Sequence, residues 1–305
     1  MFKRIYQKNA KYIMFNKIKK LSKPRITFLV IVTTYLGYYL GLRSEGLYMI
    51  EYNSIISFIH LVVGVFFTSS GSAVLNQYIE KDLDSKMERT KNRPLPSNEV
   101  SPIFALFLGV TYCFFGLIYL SYFINYLTAF IAFITIISYL FVYTPLKTRT
   151  SLNTIIGSFP GALPPVGGWA AATKEVNSPE PVILFLILFC WQIPHFLSLA
   201  IIYKYDYAKA GYKMLPSISK NLDSTMFQIV FFTMALIVSS ICIYLLKLTS
   251  IVYVIGAVIL GMVFLFYSSS ILFEESSQKI RKLFLFSIIY FPLLMLLILL
   301  DTIFL

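Results

Sequence analysis

The sequence predicts an all-α, polytopic membrane protein, and three observations support this fold class. Hydrophobic residues make up 58% of the 305 residues, and the mean hydropathy is +0.75. Apolar runs of about 18 or more residues, the length that spans a bilayer, recur along the whole chain. Lipid offers no hydrogen-bond partner to peptide groups, so each run should be helical. We therefore expect one bundle of transmembrane helices around a central cavity.

Nine such runs follow one another in the chain. They lie near residues 27–42, 55–76, 102–121, 125–143, 152–172, 181–203, 226–246, 250–272 and 283–304. Residues 1–25 form a basic arm, and residues 26–305 form the nine-helix membrane domain. The arm leads into a full-length span rather than into a short apolar core, so we expect it to be retained.

The positions of Lys and Arg predict the orientation, because cytoplasmic loops carry the excess of positive charge. Of the 26 Lys and Arg residues, 23 fall in five segments on one side of a nine-span arrangement. These segments are residues 1–25, 77–101, 144–151, 204–225 and 273–282. We therefore expect a cytoplasmic N-terminus and an external C-terminus.

The basic residues also indicate which binding partners to expect. The net charge is +12 at pH 7. Basic loops beside a membrane attract anionic lipid, and these cations are divided by membrane side rather than gathered on a soluble domain. We expect the lipid bilayer as a partner and no nucleic acid.

Charged side chains are concentrated at the end of the second apolar run. If that run continues as a helix, Asn76, Glu80 and Asp84 recur every four residues and face one direction, whereas Asp82 faces elsewhere. One carboxamide and two carboxylates suit Mg²⁺ bound together with a phosphate. About 12 Å of helix would separate Asn76 from Asp84, so either the helix ends between them or two ions bind. Alternatively, these acids only pair with nearby cations on a solvated loop.

A basic cluster follows these acids and favours a diphosphate as the ligand. Its guanidinium and ammonium groups can hold the phosphate oxygens that a metal leaves unneutralised. Pro94 and Pro96 should end the helix and stiffen the loop. The members of the cluster are Lys86, Arg89, Lys91 and Arg93.

The fifth predicted span has an unusual density of Pro and Gly between residues 160 and 168. Irregular backbone at membrane depth is tolerated where protein or a cavity surrounds it. We expect this span to be an interior wall. Close helix packing through its small residues is the alternative, and the two are compatible.

The sixth predicted span carries polar residues at Trp191, Gln192 and His195. Ionisable side chains inside a membrane are costly and indicate function. We expect His195 to contact a large substrate that lies above the diphosphate. A packing histidine is the alternative, and for His60, alone near the outer end of the second span, we expect a structural role.

Several blocks of residues, in one order along the chain, resemble the UbiA superfamily of intramembrane prenyltransferases. The resemblance runs through most of the chain, from Lys23 onward. The blocks that carry it are residues 76–96, 143–150, 160–169, 191–196 and 206–216. Within the superfamily they are most similar to the branch that farnesylates heme.

This resemblance implies an activity. A farnesyl group would pass from farnesyl diphosphate to a vinyl group of heme B, with addition of water and release of diphosphate. It further implies Mg²⁺ as cofactor, a bacterial inner membrane with the active-site loops on its cytoplasmic side, and heme A synthase or oxidase assembly factors as downstream partners.

The resemblance also assigns roles to residues. Asn76, Glu80 and Asp84 match the first acidic loop of the family, with Glu80 where many members have Asp. The second loop offers only Asp206, where quinone-type members have two or more acids, which puts a symmetric two-metal site in doubt. The implied catalytic Mg²⁺ ligands are Asn76, Glu80, Asp84 and Asp206. The implied diphosphate-binding residues are Arg89, Lys91, Arg93, Lys147 and Lys209. The implied heme contacts are His195, Trp191 and Gln192.

Two other functions are compatible with parts of the sequence. Prenylation of an aromatic quinone precursor would use the same first loop, although the single acid in the second loop and the block at 191–196 disfavour it. A transporter of an anionic solute would account for the basic side and the broken span. Neither of these two functions accounts for all the blocks of residues that resemble the UbiA superfamily.

Overall fold

The computed structural model describes residues 14–303 apart from Glu275, and the regular secondary structure in this part of the chain is entirely helical. Residues 14–21 form a helix ahead of the first span. The helices are then α1 Pro24–Ser44, α2 Tyr52–Asp84, α3 Pro102–Phe123, α4 Tyr126–Leu146, α5 Asn153–Ala162, α6 Pro164–Thr173, α7 Pro179–Ile202, α8 Lys204–Ala210, α9 Leu215–Ile218, α10 Asp223–Leu245, α11 Ile251–Phe273 and α12 Ser277–Ile303. The all-α prediction is confirmed.

Eight of these helices are long and apolar enough to cross a membrane, namely α1 to α4, α7 and α10 to α12. They account for eight of the nine predicted spans. The count of nine spans and the orientation of the termini stay predictions. The basic arm lies partly outside the described residues, since these begin at Met14.

The fifth predicted span is two ten-residue helices, α5 and α6, that meet at Leu163. Pro164 ends the first helix, because proline has no N–H to donate and its ring clashes with the carbonyl four residues earlier. Asn153 at the start of α5 donates a hydrogen bond to the Lys213 carbonyl, and Asn125 donates to the Ala170 carbonyl near the end of α6. Helices α5 and α6 together therefore run from one end of the bundle towards the other.

Helix α2 is longer than the second predicted span. It continues without a break to Asp84 and is 33 residues long. The sequence left open whether the helix ends between Asn76 and Asp84, and the structure shows that it does not. The three polar residues thus lie on one continuous helical face, which is buried.

Helices α1 and α6 pack closely through two glycines. A Cβ atom at Gly168 would lie 2.0 Å from the carbonyl oxygen of Thr34, and one at Gly37 would lie 1.8 Å from the carbonyl oxygen of Pro165. Only glycine allows this backbone approach. The small residues of the broken span therefore serve helix packing, as one of the two interpretations predicted.

Replacing Gly168 with Ala should destabilise the protein by about 1–3 kcal/mol, because α1 and α6 must move apart. Gly167→Ala is the matched control, since a Cβ atom there meets only the Ile131 side chain, at 3.5 Å. Thermal unfolding of the purified variants in detergent measures the effect. Equal melting temperatures for the two variants would contradict this account of the packing.

Helix α7 lies at the centre of the bundle and contacts α5, α6, α10 and α12. Its buried residues join the largest hydrophobic cluster, together with side chains from α10, α11 and α12. Helices α10 and α12 therefore pack against α7, and α11 packs against both of them. This arrangement matters for the site, because α7 presents its other side to the central cavity.

Candidate active site

A cavity of about 540 Å³ lies between α1, α2, α4, α5, α6 and α7. One end is polar and is lined by charged residues of α2 and of the loops that follow α2 and α4. The remainder is mostly apolar and is lined by side chains such as Leu61, Leu120 and Ile131. Its shape suits a ligand with a charged head and an apolar body.

The broken span forms part of the wall of this cavity. Pro160, Gly161, Leu163, Pro164 and Gly167 all line it. The interior-wall interpretation therefore holds alongside close packing. Because Leu163 separates the two helices, the wall bends where a straight helix would run on.

Glu80 and Asp84 of α2 are paired with cations that lie outside this helix. Glu80 Oε1 accepts a hydrogen bond of 2.7 Å from Lys147 Nζ, and Asp84 Oδ2 accepts one of 2.6 Å from Arg93 Nη1. Glu80 is 4% exposed and Asp84 is 2% exposed. A solvated loop of surface ion pairs, the alternative that the sequence left open, is therefore excluded.

Asn76 links the Glu80–Lys147 pair to Lys23 and Thr144. Its Oδ1 accepts a hydrogen bond from Lys23 Nζ at 2.8 Å, and its Nδ2 donates to Glu80 Oε2 at 3.0 Å and to Thr144 Oγ1 at 3.2 Å. Lys23 lies just before α1 and lines the cavity. It was not among the predicted site residues, because no spacing pattern connects it with a residue 53 positions later.

The electrostatics of the two lysines differ. Burial, reinforced by the charge of Arg93, lowers the pKa of Lys23 to about 7. Burial also disfavours the charged form of Lys147, but Tyr143 and Glu80 outweigh it and hold its pKa well above the usual value. The Lys147 ammonium also lies 4.5 Å from the centroid of the Tyr143 ring. Lys147 is therefore a permanent cation at the polar end.

Helix α4 contributes two tyrosines through an irregular turn. Residues Ser138–Tyr143 form a π-helical segment, a feature often found at functional sites. Tyr139 and Tyr143 line the cavity from this segment, and Thr144 follows it. An apolar run carries no pattern that predicts a π-turn, so these tyrosines were not predicted.

The structure places Asp206 apart from the other three predicted Mg²⁺ ligands. Its carboxylate accepts a hydrogen bond of 3.0 Å from the Glu88 backbone N–H, and the residue lines an outer pocket rather than the cavity. Asp206 thereby joins α8 to the loop after α2. A single ion shared by Asp206 with Asn76, Glu80 and Asp84 does not agree with this arrangement.

The five predicted diphosphate-binding residues fall into two groups. Arg89, Arg93 and Lys147 line the cavity. Arg89 also donates to the Tyr207 hydroxyl at 3.3 Å. Lys91 and Lys209 do not line it, because Lys91 pairs with the exposed Glu88 and Lys209 points outward from α8.

His195, Trp191 and Gln192 line the cavity on the α7 side. Trp191 Nε1 donates to the Ser287 carbonyl oxygen at 2.8 Å, and Gln192 Nε2 donates to the Leu188 carbonyl oxygen at 3.0 Å. The indole and amide nitrogens are therefore engaged by the protein. His60, in contrast, lies outside the cavity lining and bonds to Tyr119.

The oxygen atoms at the polar end can be tested as ligands for Mg²⁺. Among the residues that the structure describes, no group of three or more His, Cys, Asp or Glu side chains is placed to hold an ion. Magnesium, however, is commonly bound by one or two carboxylates, water and substrate phosphate. The buried carboxylates of Glu80 and Asp84, with the carboxamide of Asn76, fit that mode of binding.

Comparisons with known proteins agree on one family. Residues 30–291 match the UbiA prenyltransferase family. A protoheme IX farnesyltransferase of Solibacter usitatus is 41% identical over 284 residues, which cover 92% of this chain and 97% of the relative. A protoheme IX farnesyltransferase of Koribacter versatilis is 36% identical and covers 92% of each chain.

Solved structures show the same fold. A digeranylgeranylglyceryl phosphate synthase superposes with a TM-score of 0.78 at 20% identity, covering 95% of this chain and 99% of that one. A UbiA homologue from Archaeoglobus fulgidus bound to DMAPP and Mg²⁺ superposes with a TM-score of 0.63 at 14% identity, covering 92% and 99%.

Proposed function

Because the chain belongs to the UbiA prenyltransferase family, we propose that it transfers the farnesyl group of farnesyl diphosphate to a vinyl group of heme B, giving heme O. The observation that carries this proposal is the cavity itself. Its polar end holds Glu80, Asp84, Arg93 and Lys147, and its apolar part continues to His195. The relatives that match over most of their length are named for farnesylation of protoheme IX.

The polar end is suited to the diphosphate. Lys147 and Arg93 already contact the acids of α2, and their charged groups are positioned to bind phosphate oxygens as well. Lys23 and Arg89 line the same end. Three cations, and Lys23 as a fourth when it is protonated, thus surround the place where the leaving group would gain negative charge.

We propose that two Mg²⁺ ions are held by Glu80, Asp84 and Asn76 together with the diphosphate, because α2 continues unbroken and about 12 Å of helix separates Asn76 from Asp84. When bound, Mg²⁺ would act as a Lewis acid that stabilises the departing diphosphate. A UbiA homologue of the same fold is bound to DMAPP and Mg²⁺. In this proposal Asp206 holds α8 against the loop after α2 and is not a ligand of these ions.

The reaction proceeds through a carbocation. The bond between C1 of the farnesyl group and the diphosphate oxygen breaks, and its electron pair leaves with the diphosphate. The π electrons of the vinyl group form the new bond to C1, and water adds to the resulting cation and loses a proton. The apolar wall limits water around the first cation, and Tyr139 and Tyr143 offer it aromatic faces.

The distribution of Lys and Arg supports an orientation in the membrane. We propose that the protein spans the bacterial inner membrane with the polar end of the cavity on the cytoplasmic side. Two of the predicted cytoplasmic segments are joined by a backbone hydrogen bond of 2.7 Å between Lys213 and Lys147. Lys17 lies in a third predicted cytoplasmic segment. Heme A synthase or an oxidase assembly factor would receive the product.

The product identifies the function. Membranes containing the protein, incubated with Mg²⁺, farnesyl diphosphate and heme B, should form hydroxyethylfarnesyl heme, which mass spectrometry detects. Membranes without the protein are the control. A prenylated aromatic acid formed in place of the heme product would favour the quinone-precursor function, and uptake of an anionic solute without any prenyl transfer would favour transport.

A further inference from the structure

The imidazole of His195 is held in one orientation by α7 and α12. Its ring stacks on Trp191 with a centroid distance of 5.2 Å and an interplanar angle of 12°, and on Phe284 with 5.1 Å and 21°. His195 Nδ1 lies 2.8 Å from the Ser287 hydroxyl oxygen. The ring can therefore neither turn nor tilt without breaking these contacts.

The hydrogen bonds of Ser287 determine which ring nitrogen carries the proton. The Ser287 hydroxyl has a single proton, and it donates this proton to the Phe284 carbonyl oxygen at 2.6 Å. The hydroxyl oxygen must then accept from His195, so Nδ1 carries the hydrogen. In the neutral ring, the lone pair is consequently on Nε2.

Nε2 is the nitrogen that remains available. No described residue forms a hydrogen bond with it, whereas His195 lines the cavity. A nitrogen with a lone pair binds iron but cannot donate a hydrogen bond to a heme propionate. The neutral imidazole with its other N–H held by the protein is the usual form of a metal-ligating histidine.

We infer that His195 Nε2 is an axial ligand of the heme iron in the acceptor complex, and that Ser287 is the residue that fixes its tautomer. This inference rests on the proposed function. His195 lies seven residues before the end of α7, about 10 Å along the helix. Because the iron is at the centre of the porphyrin and the vinyl groups are at its rim, ligation here leaves the rim free to approach the diphosphate end.

The experiment records optical and electron paramagnetic resonance spectra of the purified full-length protein with ferric heme B and no farnesyl diphosphate. The wild type should show an imidazole-ligated heme. His195→Gln, which retains a group able to donate to Ser287, should lose this signature, and His195→Gly should regain it when free imidazole is added. His60→Ala is the matched control, because the chain has two histidines and His60 lies outside the cavity lining.

Ser287→Ala tests the positioning role separately. Loss of the group that orients a ligating histidine typically weakens metal binding about 10- to 100-fold. A heme titration of the variant should therefore give a dissociation constant that is higher by this factor. Its spectrum should be a mixture of imidazole-ligated heme and heme without that ligand. A merely structural role would alter protein stability but leave the spectrum of bound heme unchanged.

An unchanged heme spectrum in His195→Gln would overturn the inference. This result would leave the proposed function intact if the wild type still makes hydroxyethylfarnesyl heme. Conversely, a wild type that ligates heme through His195 but makes no prenylated heme would refute the proposed function alone.

Discussion

Replacing Glu80 with Gln should reduce the rate of farnesyl transfer at least about 100-fold, the scale on which buried electrostatic groups act in catalysis. Glu80 contacts both Lys147 and Asn76 and is nearly inaccessible to solvent. The amide would retain the size of the side chain but lose its negative charge. Product formation at saturating farnesyl diphosphate and heme B measures the effect.

Two controls separate chemistry from folding. Glu88→Gln makes the same substitution at an exposed position of the following loop, and it should leave the rate nearly unchanged. Glu80→Gln also leaves the Lys147 cation without its partner, which is destabilising in a buried site. The double variant Glu80→Gln with Lys147→Met removes both charges, so it should recover stability without recovering activity. Full activity of Glu80→Gln would refute the role of this carboxylate.

Replacing Asp84 with Asn should also reduce transfer by about 100-fold, and it should raise the concentration of Mg²⁺ needed for half-maximal activity. Asp84 is the last residue of α2, and its carboxylate is paired with Arg93. The carboxamide that replaces it is neutral and is a weaker ligand for a hard cation. A titration of activity with Mg²⁺ shows both effects.

Asp82→Asn is the matched control for this substitution, because Asp82 belongs to the same turn of α2 but is exposed. Its Mg²⁺ dependence should equal that of the wild type. If Asp84→Asn and Asp82→Asn shared the same Mg²⁺ dependence, the assignment of Asp84 as a ligand would be wrong.

Much of the fold could be predicted from the sequence, because runs of apolar residues long enough to span a bilayer leave few alternatives to a helix. The exceptions have local causes. The Pro and Gly residues of the fifth span indicated irregular backbone, but only the structure shows that the helix stops at Leu163. The π-turn of α4 lies in an unbroken apolar run, where hydropathy carries no information about backbone geometry.

The site was predictable where a single helix defines it. Asn76, Glu80 and Asp84 follow from the four-residue spacing along α2. Lys23 and Ser287 are brought to the site by the packing of helices that are far apart in sequence. Nothing in their local sequence distinguishes them from other lysines and serines. Lys91 and Lys209, which the sequence also predicts to bind the diphosphate, do not line the cavity, because a charged residue that is close to acids in sequence can still be exposed on the outer surface.

The ion pairs at the polar end have a consequence for the order in which ligands arrive. Arg89, Arg93 and Lys147 outnumber Glu80 and Asp84, so this end of the cavity is positively charged overall even when Lys23, whose pKa is lowered to about 7, is neutral. A magnesium ion approaching alone would be repelled and would have to displace Lys147 and Arg93 from their carboxylates. A magnesium ion already carried by farnesyl diphosphate is part of an anion, whose phosphate oxygens give those two cations new partners as they move aside. The metal should therefore be delivered by its substrate, and loading of the prenyl donor and loading of the metal become one event.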